Sequence, residues 1–195
     1  GVTLHCRMGW DDHIDAICSK ANRVLGFLRR NLKVNSRSIK ERAYNAFVRP
    51  MLEYSASTWD PYEAKHILAI EKVQRRAARY VCNRYHNTSS VTGMLDILGW
   101  ETLEQRRKTA RLVAFYKMRN GLTHTERLRD QLIPSKRRPR GKGSDQNYIP
   151  LLCSTVYRSE TFLPRTVLEW NALPQDVVDA KTPDTFVSRV CRLSR

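Results

Sequence analysis

Apolar positions along this chain recur mostly at steps of three and four, the spacing of one helix face. The clearest case is 65–85, KHILAIEKVQRRAARYVCNRY, where Ile67, Ile70, Val73, Ala77, Ala78 and Val81 form one stripe at ~100° per residue. Ahead of it, Asp60, Pro61 and Glu63 offer an N-cap carboxylate, a proline at the first helical position and an acid in the third. Leu68 falls outside the stripe and needs a second neighbour or partial exposure. Upstream, Asp11 or Asp12 is expected to cap a helix carrying Ile14, Ile17, Cys18, Ala21, Val24, Leu25 and Leu28, which ends in the basic turn 29–33. Ser38-Ile39-Lys40-Glu41 reads as a capping box, opening a helix with Ile39, Ala43, Ala46 and Phe47 on its apolar side. Pro50 must kink or restart that helix, because it lacks a donor and clashes with the preceding turn. Ser89 or Ser90 caps a short helix ending near Gly99, and a longer one is predicted over 102–119, stopped by Asn120-Gly121. There Leu103, Ala110, Val113 and Ala114 share a face while Leu112, Phe115 and Tyr116 lie elsewhere, the pattern of a helix enclosed on more than one side.

Beyond 133 the pattern changes. The stretch 134–147, PSKRRPRGKGSDQN, has no apolar residue besides its prolines and reads as a disordered basic linker. The segments 148–152 and 155–157 are short and β-prone. FLPRTVLEWNALP suggests a helix from Pro164 to Pro174, and Thr182-Pro183-Asp184 caps a last helix carrying Phe186, Val190 and Leu193. The expectation is a mainly α chain: a helical domain over 1–133, the linker over 134–147, and a small helical module with short β segments over 148–195.

Charge sharpens this picture. Lys and Arg number 35 against 19 Asp and Glu, a formal charge of +16 with a pI near 10.1, which favours a polyanionic partner. On the helix over 65–85, Lys65, Lys72, Arg75, Arg76 and Arg79 fall within an arc of about 100° opposite the apolar stripe. Glu71 is the one acid in that stretch. Charge runs on helices are usually solvated faces, and what lifts this case is the absence of interleaved acids. Lys108 and Arg111 are expected to reach solvent from the next long helix, whereas Arg106 and Arg107 flank its apolar face and pair with Glu101 or Glu104. Nucleic acid ranks first as the polyanionic partner and an anionic membrane surface second; no apolar run approaches the ~18 residues of a membrane span, and no membrane is among the expected partners. The first residues lack the layout of a signal peptide and an initiator Met, which suggests a fragment. Five scattered cysteines argue for reduced thiols inside the cell, in nucleus or cytoplasm.

Catalytic chemistry finds no foothold. The adjacent acids Asp11 and Asp12 stand at a helix start, where capping explains them without a metal. Cys82 and His86 have helical i,i+4 spacing but no second pair for zinc. No glycine-rich phosphate loop appears, and no nucleophile has a His and acid context. Neither catalytic residue, nor metal, nor cofactor is expected.

Four strings occur in an order that resembles one family: FVRPMLEYSASTWDPY, IEKVQRRAARYV, SSVTGMLDILGWETLEQRRKTARLVAFYKMRNGL and FLPRTVLEWNALP. Together they look like the C-terminal part of reverse transcriptases from non-LTR (LINE-type, jockey-like) retrotransposons, and the similarity covers essentially the whole chain. The resemblance implies a helical thumb-like region and a post-thumb module that follow the polymerase palm and grip the RNA or DNA of a template–primer duplex. The family's catalytic aspartates lie upstream of this stretch, so the chain is expected to have no polymerase activity on its own. In the parent protein the palm and fingers are its implied partners. A helical protein-interaction module, or an inert remnant of a degraded element, is the alternative.

Overall fold

The computed structural model describes residues 1–5, 9–86, 88–135 and 145–193. The chain is mainly α-helical, and the described residues contain no β-strand, only an isolated bridge between Pro134 and Tyr148. Val156 and Tyr157 belong to a turn of helix, α9, with Thr155 as its N-cap, instead of the expected β segment. The helices are α1 Asp11–Asn31, α2 Arg37–Ala43, α3 Arg49–Glu53, α4 Ala56–Trp59, α5 Ala64–Cys82, α6 Val91–Leu98 and α7 Leu103–Arg119. They continue as α8 Glu126–Arg129, α9 Val156–Ser159, α10 Phe162–Asn171, α11 Gln175–Val178 and α12 Pro183–Leu193.

The packing divides the chain at Arg107 and Lys108, inside α7, and not at 133. In the first unit α5 packs against α1, α2 and α6. Its buried side is Ile70, Val73, Gln74, Ala77, Ala78 and Val81, with Ile67 half-buried and Leu68 58% exposed. Around it the core collects Ile14, Leu25, Val48, Leu52, Trp59, Met94 and Leu103. Each such side chain, withdrawn from water, contributes about 1.5–3 kcal/mol. Three contacts fix how α1 and α5 run: Asp11 meets Lys65 and His66, Asn22 meets Arg76, and Leu28 meets Tyr80. The two helices therefore lie side by side in the same direction.

The helix after α1 opens at Ser36, whose Oγ accepts from the Ile39 N–H, two residues before the expected capping box. Its inner face is also not the expected one. Lys40, Tyr44, Val48 and Leu52 are buried, while Ile39 and Phe47 are 48% and 58% exposed. A stripe spaced strictly by four drifts around a straight α-helix. Here a π-helical turn over Tyr44–Val48 takes up extra residues just before Pro50, and the stripe stays inward. Trp100 stacks on Tyr44 at 4.4 Å and donates through Nε1 to Glu41, which holds the entry to α7 against this segment.

In the second unit Leu112, Phe115, Tyr116 and Met118 of α7 share a core with Leu163, Val167, Trp170, Phe186 and Val190. Tyr116 stacks on Phe186 at 4.6 Å and donates to the Ala180 carbonyl at 2.8 Å. The expected linker lies mostly outside the described residues, at 136–144. Its described ends are tied into this unit: Ser135 N–H donates to the Asn147 carbonyl, Asn147 is buried, and Trp170 Nε1 donates to the Gln146 carbonyl. No described helix is long and apolar enough to cross a membrane.

Candidate nucleic-acid interface

The five cations predicted to share one face of α5 meet three different surroundings. Lys65 is not free: its Nζ lies 2.8 Å from Asp11 and 3.0 Å from Glu63, and these carboxylates hold its ammonium well above the ordinary lysine range. Asp11, held below its usual value by Lys65, is used here and does not cap α1, whose N-cap is Trp10 without a side-chain bond. Lys72 and Arg75 stand exposed, and no described carboxylate reaches them within 4 Å. Arg76 and Arg79 turn toward α1, again without a carboxylate. Arg76 Nη1 donates to Asn22 Oδ1 at 2.9 Å, so a neutral amide, and no described carboxylate within 4 Å, holds its guanidinium.

Glu71, Asp60 and Glu53 are each engaged elsewhere. Glu71 accepts the Glu104 N–H at 2.9 Å at the start of α7, and burial pushes its carboxyl above the usual range. Asp60 is not the N-cap of α5: the helix opens after Glu63, and Asp60 accepts from Arg107 Nε at 2.7 Å, with both side chains buried. Arg106 binds Glu53 through two nitrogens, Nη2 at 3.1 Å. The acids that pair with Arg106 and Arg107 thus come from α3 and the turn after α4, not from Glu101 or Glu104.

The two candidates on α7 separate. Lys108 is exposed as expected. Arg111 is buried, with Nη2 2.6 Å from both oxygens of Glu169 on α10, and cannot meet a polyanion at the surface. A guanidinium removed from water needs a charged, hydrogen-bonded partner, and α10 supplies one.

Between α1 and α5 lies an open groove of about 380 Å³ lined by Asn22, Leu25, Gly26, Arg29, Arg76, Arg79, Tyr80 and Tyr85. It forms because α1 and α5 run in parallel and end together. Tyr80, buried, seals the floor and reaches the Leu28 carbonyl at 3.4 Å, while Lys40 Nζ lies 5.2 Å from its ring centre on the far side. Asn83, in the left-handed conformation (φ 53°), ends α5 and turns the chain back, with Arg84 N–H donating to the Arg79 carbonyl. That reversal carries the half-exposed Tyr85 to the groove. Asn22, Arg29, Tyr80 and Tyr85 do not emerge from the sequence as one site, since Arg29 and Arg79 are 50 residues apart. The signal present was a pair of amphipathic helices that both finish on basic residues.

Among the described residues no group of three or more His, Cys, Asp or Glu is placed to hold a metal ion. Burial pushes the Cys18 thiol up to about 11, away from nucleophilic use. Comparison with family models, curated proteins and solved structures finds no match to the chain.

Proposed function

We propose that the chain binds the sugar–phosphate backbone of a template–primer duplex without reading sequence, as the thumb-like part of a non-LTR retrotransposon reverse transcriptase. The observation that carries the reading is the distribution of partners: the arginines of the interior each have a carboxylate, whereas among the described residues none lies within 4 Å of Lys72, Arg75, Arg76 or Arg79 on α5. Cations left uncompensated on one rigid helix are suited to phosphate, which carries no sequence information and lets a protein move along any duplex. The four ordered strings that resemble that family support the same assignment. The polymerase chemistry belongs to aspartates outside this stretch, so the role here is to hold.

The test is fluorescence anisotropy of the full chain with labelled RNA–DNA hybrids of two unrelated sequences. Equal affinities that fall with added salt are expected. Absence of binding, or a strong preference for one sequence, would contradict the assignment.

A further inference from the structure

The groove between α1 and α5 has a composition that simple backbone gripping does not require. We propose that it seats one nucleotide of a single strand, with its phosphate on Arg29, Arg76 and Arg79 and its base against Tyr85. This rests on the reading of α5 as a nucleic-acid-facing helix and adds a defined ligand unit to it. Three guanidiniums that no described carboxylate reaches within 4 Å line one cleft, and each offers a planar fork matched to phosphate oxygens. Arg76 is already fixed by Asn22, so less side-chain freedom is lost when an anion arrives. The volume of about 380 Å³ lies at the lower end of the ~300–1,000 Å³ of small-molecule clefts, room for one unit and not for a run of bases. Gly26 leaves the α1 side of the groove open: a Cβ there would meet only the Arg30 guanidinium, at 3.4 Å. Tyr85, 49% exposed at the groove, supplies the aromatic face on which any base stacks. A helix end that only balanced its dipole would need the arginines but neither the cleft nor the aromatic ring.

The experiment compares the full chain with Tyr85→Ala, Gly26→Met and the pair Lys72→Gln/Arg75→Gln. Each binds a short labelled single-stranded DNA, and the same strand with one abasic unit at every position, at a salt concentration that screens diffuse contacts. Tyr85→Ala is expected to weaken binding by about five- to 160-fold, the range of one base–aromatic stack. Gly26→Met, which alters no charge, is expected to weaken it comparably by filling the cleft. The abasic strand should bind as weakly as Tyr85→Ala binds the intact strand and be insensitive to that change. Helical circular dichroism of each variant identifies any loss of fold, and Tyr85→Phe, which keeps the ring, should restore binding. If Lys72→Gln/Arg75→Gln weakens binding while Tyr85→Ala and Gly26→Met leave it unchanged, the helix face binds nucleic acid and the groove proposal is wrong. If the unaltered chain binds neither strand at any salt, both the groove and the broader assignment fail.

Discussion

Asp60 accepts from Arg107 with side chains 5% and 0% exposed, and this pair shows how one residue is diverted from its local role by a distant one. Asp-Pro ahead of an amphipathic run is a good N-cap signal, but a buried guanidinium 47 residues away has the stronger claim on the carboxylate. Asp60→Ala takes its carboxylate away from that buried guanidinium and is expected to cost about 3–5 kcal/mol in urea unfolding, more than the ~1 kcal/mol of a lost cap. Glu71 makes the opposite case. Burial holds its folded-state carboxyl above the ordinary 4.5, so the folded chain binds the proton more tightly than the unfolded one. Its contribution to stability therefore falls as pH rises from about 4.5 through the raised value. Asp11, depressed below 3.8 by Lys65, works the other way and loses its contribution on acidification. Glu71→Gln retains an acceptor for the Glu104 N–H and should abolish the decline above pH 4.5, read as the urea midpoint against pH.

At the scale of elements, α5 was legible from sequence because its apolar positions follow one period from Ile67 to Val81 with strong contrast across the helix. The segment from Arg37 to Glu53 was not, for a physical reason. Its inward stripe begins with Lys40, which is buried against Tyr80, and is kept in phase by a π-turn that no hydrophobic pattern announces. Ile39 and Phe47 looked like core and face outward. Tyr44→Ala is accordingly expected to cost about 3 kcal/mol or more, through the cavity beside Trp100, whereas Phe47→Ala should stay within about 0.5 kcal/mol. Equal costs in chemical denaturation would restore the face that the sequence suggested. Arg111 shows the same limit: a charged residue on a helix reads as exposed until Glu169 is brought to it from 58 residues away.

For the whole molecule, the helical class followed from periodicity, and the division of the chain did not. A basic, apolar-poor stretch looks like a boundary, yet its described ends hydrogen-bond into the second unit, and the units part within α7, where composition is continuous. The excess of +16 is likewise only partly informative, because pairing inside the fold decides which cations remain for a ligand. Lys65 and Arg111 are spoken for by Asp11, Glu63 and Glu169, and the proposed binding would fall on α5 to Lys72, Arg75, Arg76 and Arg79. The most direct test is the salt dependence of binding to a hybrid duplex. Each phosphate neutralised contributes about −0.9 to the slope of log affinity against log salt, so changing those four residues to Gln should flatten the slope by about three to four. Lys65→Gln, which removes a cation already held by two carboxylates, should leave the slope where it was, and helical circular dichroism should be unchanged throughout. A quadruple variant with the original slope would contradict the account, since the bar of charge on α5 would then be facing only water.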